Sequence, residues 1–155
     1  MMKVYKHYYD SPIGSIEIKG TNEAICSIMF CDKSESDIAG TPHVLMDCRN
    51  QLDEYFKGNR REFTFPYVLV GTEFQRTVWN ALTKVTYGTI GTYKNIAEAI
   101  GNPRAIRAVG SANGKNKLSI VVPCHRIIGS NGALTGYAGG LWRKEWLLQH
   151  EKTFQ

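Results

Sequence analysis

Three chemically active side chains stand in a row at Cys124, His125 and Arg126, directly after an apolar run, Ser119-Ile120-Val121-Val122, and Pro123. A thiolate is a strong nucleophile, but a free thiol with a pKa near about 8.5 is only a few per cent ionised at neutral pH. An imidazole within reach, directly or through one water, can take the proton. A third group would have to orient that imidazole, and His150 or Glu151, at the end of the last predicted helix, is available. Adjacency alone does not bring thiol and imidazole together. If the apolar run is a buried strand, its neighbours point to opposite faces, so Cys124 and His125 meet only where the chain bends. Pro123 and the glycines that follow make a bend plausible. A Cys-His dipeptide by itself leaves a catalytic and an accidental pairing both open.

The other three cysteines, Cys26, Cys31 and Cys48, read differently. With His43 they could be taken for a metal site, but they lack the short Cys-x-x-Cys spacing of zinc ligands. Cys48 also falls on the apolar face of a predicted helix. Buried structural thiols are the expectation, with no metal.

The elements that must position Cys124 follow from periodicity. The 155 residues are 43% hydrophobic and 21% charged, enough for one domain or two small ones. "KVYKHYYD" and "SIEIKG" alternate around the turn residues "SPIG", and "AICSIMF" reads as a third, more buried strand. Thr41 and Pro42 are expected to cap and start a helix with Leu45, Cys48, Leu52, Tyr55 and Phe56 on one face, stopped by Gly58. "EFTF" offers a possible fourth strand. The second half is mostly helical. Thr72 and Gln75 form a capping box, and Thr92 caps "YKNIAEAI", which Gly101 ends. Asn102-Pro103 is expected to start "PRAIRAVGSAN", ended by Gly114. A terminal helix, "LWRKEWLLQHE", offers Trp142, Trp146 and Leu147 to a core. The expected class is α+β: residues 1–66 form a small α/β domain with a three- or four-stranded antiparallel sheet, 67–72 a linker, and 73–155 a helical domain with a helix-turn-helix.

Nineteen lysines and arginines against 14 acidic residues give a net charge of +5. That balance favours a polyanionic partner without proving one. Arg104 and Arg107 are expected on one face of the second helix of the pair, with Lys115 just beyond. Ala105, Ala108, Gly110, Ser111 and Ala112 keep that helix thin enough for close approach. A nucleic-acid contact and a merely solvated arginine face both remain open. No stretch approaches the roughly 20 apolar residues of a membrane span. The start, "MMKVYKHYYD", has no apolar secretory core, so a cytoplasmic protein is expected.

Longer motifs narrow the reading. "VPCHR", "GYAGG", "KEWLLQHE", "GTYKNIA" and "NPRAIRAVG" occur in the order and at the spacing of the methylated-DNA–protein-cysteine methyltransferases, or O6-alkylguanine-DNA alkyltransferases. The chain closely resembles that family from about Thr72 to Glu151, and "YYDSPIGSIEI" looks like the opening of its bacterial members. The resemblance implies a ribonuclease H-like first domain. It also implies irreversible, single-turnover transfer of an alkyl group from O6-alkylguanine, and O4-alkylthymine, in double-stranded DNA to the protein's own cysteine. It implies a monomer with no cofactor.

Carried over by position, the resemblance makes Cys124 the alkyl acceptor, His125 its base through a water, and Glu151 the carboxylate that orients His125. Asn116 matches the asparagine that braces the approach to the cysteine, and Tyr93 the tyrosine that helps rotate the nucleotide and serves the leaving base. Arg107 matches the arginine that replaces the flipped base, on a helix that the family places in the minor groove. The basic and small residues already read from the sequence, Arg104, Ala108, Ser111 and Lys115, would with Tyr93 then form the DNA face. Pro123, Gly136, Tyr137, Ala138 and Gly139 match the substrate pocket. Some members have serine where Ala138 stands, so that hydroxyl contact is absent here. Zinc-binding relatives carry an early cysteine with no counterpart before Cys26.

Two rival readings stay in view. A Cys124-His125-Glu151 hydrolase would turn over repeatedly and would not need the arginine-bearing helix pair. A non-catalytic binder of alkylated DNA would lack the reactive cysteine, which is present.

Overall fold

The computed structural model describes residues 3–32 and 40–155. The chain forms two compact units, Met1–Leu69 and Val70–Gln155.

In the first unit, strands β1 (Tyr5–Ser11), β2 (Gly14–Gly20) and β3 (Ile25–Cys31) form an antiparallel sheet in sequence order. The pairings Tyr9 with Ile16, His7 with Ile18 and Ile18 with Ile28 put the buried residues of all three strands on one face. Period-two alternation does this directly, since every second side chain lies on the same side. Helix α1 (His43–Phe56) contributes Leu45, Cys48, Leu52, Tyr55 and Phe56 to the same core. The Tyr9 hydroxyl donates to Asp53 Oδ1 at 3.0 Å and ties β1 to α1.

Two expectations fail here. The helix starts one residue late: Pro42 itself takes the capping position, and no side chain caps the helix. "EFTF" forms no strand. The Gln51 side chain accepts the Thr64 N–H at 2.9 Å and donates to its hydroxyl at 3.0 Å, and Pro66 has no N–H to give a ladder. Pairing is limited to one isolated parallel bridge between Ile25 and Tyr67.

The second unit begins with α2 (Glu73–Leu82), whose capping box forms as expected: Thr72 accepts the Gln75 N–H at 3.1 Å, and the Gln75 side chain accepts the Thr72 N–H at 2.9 Å. A two-residue strand, β4 (Gly91–Thr92), leads into α3 (Tyr93–Ala99), capped by Thr92. Gly101, at φ 76°, adopts the left-handed conformation that ends the helix and turns the chain. The next helix, α4, runs only over Ile106–Gly114. Residues 102–105 form a turn, closed by the Ala105 N–H donating to the Asn102 carbonyl at 3.0 Å. Arg104 therefore stands in the turn and not on the helix face beside Arg107. Trp79 of α2 donates to the Ala112 carbonyl of α4 at 2.8 Å and fixes that pair.

The run Ser119–Val122 is not a strand. The chain turns through it, with Ile120 buried at φ 73°, and Cys124–Arg126 form one 3-10 turn before strand β5 (Ile127–Ile128) pairs in parallel with β4. Helix α5 (Leu141–Thr153) closes the unit. Its inward face is Lys144, Leu147, His150 and Glu151, whereas Trp142, expected in the core, is 56% exposed beneath the Arg143 guanidinium. Among the described residues no helix is long and apolar enough to cross a membrane.

Candidate active site

The turns before Cys124 depend on one side chain. Asn116 is buried, and its amide nitrogen lies 2.8 Å from the Val122 carbonyl, 3.3 Å from the Leu118 carbonyl and 3.3 Å from Cys124 Sγ. Its oxygen accepts the Leu118 N–H at 2.9 Å. One amide thus satisfies backbone groups that a strand would have paired, and it also touches the thiol. The left-handed Ile120 is held inside this knot; such strain costs about 1–3 kcal/mol and persists only where the surroundings over-determine it.

Cys124 itself is buried. Burial pushes its thiol pKa up. The Asn116 N–H, the Lys144 charge and the backbone N–H groups of Cys124 and His125 oppose that rise without cancelling it. The resting group is a thiol that has to be deprotonated.

Cys124 and His125 stand on a 3-10 turn and not on a strand. His125 is 0% exposed, and its Nε2 lies 2.7 Å from Oε2 of Glu151, which is 1% exposed. A carboxylate only accepts, so Nε2 carries the proton and Nδ1 keeps the basic lone pair. Nδ1 makes no hydrogen bond to any described protein group. Burial lowers the His125 pKa; Glu151 raises it, and Arg126 and Lys144 lower it, so the ring is held neutral below its ordinary value of 6.5.

Arg126 and Lys144 are the site's charged groups for which sequence reading assigned no role. Arg126 Nε donates to Glu151 Oε1 at 2.7 Å, Nη2 to Oε2 at 3.0 Å, and Nη1 to the Val85 carbonyl at 2.7 Å. The Gly88 N–H adds a fourth donor to Glu151 at 3.2 Å. Burial alone would raise the Glu151 pKa, but His125 and Arg126 overcome it and hold the carboxyl well below its usual range. Lys144, 0% exposed, donates to the carbonyls of Ile127 and, at 3.3 Å, Thr135. The contiguous Cys-His-Arg triplet was the available signal for Arg126; a buried lysine at helical spacing from Glu151 gave none.

Asn116, Cys124, His125 and Glu151 therefore come together, with Pro123 starting the turn. Gly136, Tyr137, Ala138 and Gly139 lie in the loop between β5 and α5, and proximity to Cys124 contributes, after burial, to raising the Tyr137 phenol pKa. The Tyr93 hydroxyl is hydrogen-bonded to Thr135 in that loop. His150, the alternative orienting group, stacks on Trp146 with ring centroids 4.9 Å apart and plays no part in the His125 contact. Arg107, Ala108 and Ser111 line the exposed side of α4 with Lys115 just past its end, while Arg104 is exposed in the preceding turn. Among the described residues no group of His, Cys, Asp or Glu could hold a metal ion.

A buried thiol braced by an amide, beside an imidazole locked to an ionised carboxylate, in a unit that also presents an arginine-bearing helix, defines a cysteine-dependent group-transfer protein of the DNA-binding class. Residues 4–68 match the ribonuclease-like domain of 6-O-methylguanine DNA methyltransferase, and residues 73–153 its DNA-binding domain. The chain belongs to that family. It is 43% identical to the methylated-DNA–protein-cysteine methyltransferase of Methanosarcina acetivorans, over 96% of this chain and 98% of the relative. It is 45% identical to that of Mycolicibacterium paratuberculosis, over 92% and 89%. The crystal structure of the Mycobacterium tuberculosis O6-methylguanine methyltransferase superposes with a TM-score of 0.88 at 39% identity, covering 99% of this chain and 95% of that one. The M. tuberculosis OGT crystallised with DNA superposes at 0.87 and 40% identity, covering 96% and 93%.

Proposed function

We propose that this protein repairs DNA by moving the alkyl group of O6-alkylguanine, and of O4-alkylthymine, onto Cys124, once per molecule. The observation that carries the reading is the Asn116–Cys124 contact at 3.3 Å beside the 2.7 Å His125–Glu151 pair. His125 Nδ1 takes the thiol proton, directly or through a water, and Glu151 stabilises the imidazolium without accepting its proton. The Asn116 N–H and the Lys144 charge stabilise the thiolate as it forms. Sγ then forms a bond to the alkyl carbon as the carbon–oxygen bond breaks. That bond's electron pair stays with the base, to which the Tyr93 hydroxyl donates a hydrogen bond, and the base takes up the proton that the imidazolium returns through water. The product is a thioether, which water does not readily cleave, so the molecule acts once and needs no cofactor.

A base inside a duplex cannot reach a buried thiol, and extruding it costs a few kcal/mol. The exposed side of α4 serves that step: Ala108 and Ser111 let the helix approach the minor groove, Arg107 fills the gap, and Arg104 and Lys115 hold the backbone. We assign the chemistry to residues 73–155, a separate domain from 1–66. The reading has the protein acting as a monomer in the cytoplasm, where its four cysteines stay reduced.

The test is intact mass after incubation with duplex DNA containing O6-methylguanine, followed by mapping of the modified peptide. One methyl on Cys124 supports the reading. Tight binding without methyl gain would favour a binder, and neither result would favour a hydrolase.

A further inference from the structure

The hydroxyl assigned to the leaving base is not free at rest. Tyr93, the first residue of α3, lies between two elements that must both meet the substrate. A β-carbon placed on Gly110 of α4 would sit 3.8 Å from the Tyr93 ring, and the Tyr93 hydroxyl is hydrogen-bonded to Thr135 Oγ1 in the β5–α5 loop. Thr135 is itself pinned through its backbone, because its carbonyl accepts from the buried Lys144 Nζ at 3.3 Å. The same nitrogen donates to Ile127, three residues after Cys124. The hydroxyl pair is thus tied through one lysine to the backbone that carries the nucleophile.

We propose that Thr135 is a positioning residue for alkyl transfer, holding the Tyr93 hydroxyl at the pocket and reversing the direction of their shared hydrogen bond when the base arrives. The proposal rests on the function proposed above. Each hydroxyl has one proton and can accept as well as donate. A phenol is the better donor and an alcohol the better acceptor, so the tyrosine proton rests on Thr135. When the flipped base offers an acceptor, Tyr93 turns its proton to it. The Thr135 hydroxyl then rotates and donates to the tyrosine oxygen. No covalent bond changes at either residue. The phenol oxygen stays in place, and a hydroxyl that accepts one hydrogen bond donates a stronger one.

The experiment measures single-turnover methyl transfer from O6-methylguanine duplex over a range of protein concentrations, separating the limiting rate from the DNA affinity. Thr135 is only partly buried, so Thr135→Val keeps its shape and removes the hydroxyl alone. Thr135→Val should lower the limiting rate about five- to tenfold, the worth of one hydrogen bond, with DNA affinity retained. Thr135→Ser should restore the rate. In a Tyr93→Phe background, Thr135→Val should have no further effect, because the hydroxyl it supports is gone. A loss that persists in the Tyr93→Phe background, an unchanged rate in Thr135→Val, or failure of Thr135→Ser to rescue would each overturn the proposal. Wild-type protein that leaves Cys124 unmethylated would instead sink the functional reading beneath it.

Discussion

The two units differ in what their interiors add to an apolar core. The interior of the first is Ile16, Ile18, Ile25, Ile28, Leu45 and Leu52, with Tyr9 and Gln51 making local polar ties. The second has an apolar core of its own, with Val78, Trp79, Leu82, Val109 and Leu147 in it, and in addition buries Asn116, His125, Arg126, Lys144 and Glu151. Apolar burial stabilises by roughly 25 cal/mol per Å², whereas a buried ion pair about breaks even with an apolar pair and is strongly destabilising once half is removed. The first unit is built as a stable support. The second adds to its apolar core the cost of keeping a thiol, a neutral imidazole and a permanent carboxylate buried. Their surfaces differ too. In the first unit Lys57 lies 2.9 Å from Asp53, and Arg60 lies 3.0 Å from Glu54. In the second, Arg104, Arg107 and Lys115 form no ion pair with any described residue, which leaves them available to phosphate.

The cysteines break the comparison most sharply. Cys124→Ala should abolish methyl transfer while DNA binding persists, as read by intact mass and by gel shift. Cys48→Ala in the first core should transfer one methyl per folded molecule at the normal rate and cost about 0.5–3 kcal/mol of stability. Methyl found on Cys26, Cys31 or Cys48 of the wild-type protein would undo the assignment.

Next come the interiors. Glu151→Gln leaves Arg126 buried beside a neutral amide and removes the anion behind His125. Transfer should slow by roughly a hundredfold, and urea unfolding should show a loss of about 3–5 kcal/mol. Leu52→Ala should cost a similar 2–5 kcal/mol or so in the first unit, through an unfilled cavity, yet leave the rate per folded molecule unchanged. If Leu52→Ala slowed transfer as much as Glu151→Gln, the division between support and chemistry would be wrong.

The surface contrast gives a smaller effect. Arg107→Ala should slow repair of duplex DNA about tenfold more than transfer from the free alkylated base, where nothing is flipped. Arg104→Ala should show no such gap, and should instead lower the log–log salt slope of binding by about 0.9 if it meets a phosphate. Arg60→Ala should change neither. Equal losses on duplex and free base for Arg107→Ala would leave it a pocket or folding residue.

What was legible in the sequence follows the same division. Alternation and helical spacing laid out the first unit almost entirely, because its contacts are apolar and periodic. Thr72 and Gln75 marked α2 for a local reason, a hydrogen-bond exchange across three residues. Beyond the helix start at Pro42 and the missing fourth strand, the errors fall in the second unit. Ser119–Val122 has the composition of a strand, but the Asn116 amide draws Leu118 and Val122 into a turn that no local propensity encodes. Trp142 outranks Lys144 in hydropathy, yet Lys144 is the buried one, because carbonyls of Ile127 and Thr135 receive its ammonium. Proline at 103 promised a helix start, and the chain made a turn first, which moved Arg104 off the helix. Side chains that satisfy distant backbone are invisible to periodicity, and they are concentrated where the chemistry is.

The finest test concerns how that polar interior sets a proton affinity. His125 faces Glu151 and Lys144 from α5, and Cys124 and Arg126 from its own turn. Burial lowers its pKa, Glu151 raises it, and the two cations lower it further, leaving it below 6.5. As the proposed base, His125 works only when neutral, so the transfer rate should fall with acidification at a midpoint below that value. Arg126→Gln removes one of the opposing cations, so the midpoint should move up. Arg126→Lys keeps the charge and should leave the midpoint near that of the wild type. Stability carries the same sign. A histidine whose pKa is lower folded than unfolded contributes stability above pH 6.5 that is lost as pH falls through the folded pKa, because the unfolded chain takes the proton first. Glu151, also depressed, adds its own loss only below its ordinary value of 4.5. Urea midpoints between those two values therefore report His125 ahead of Glu151, and the acid loss there should shrink in Arg126→Gln. An unmoved rate midpoint in Arg126→Gln would show that the guanidinium only holds Glu151 in place and does not set the basicity of His125.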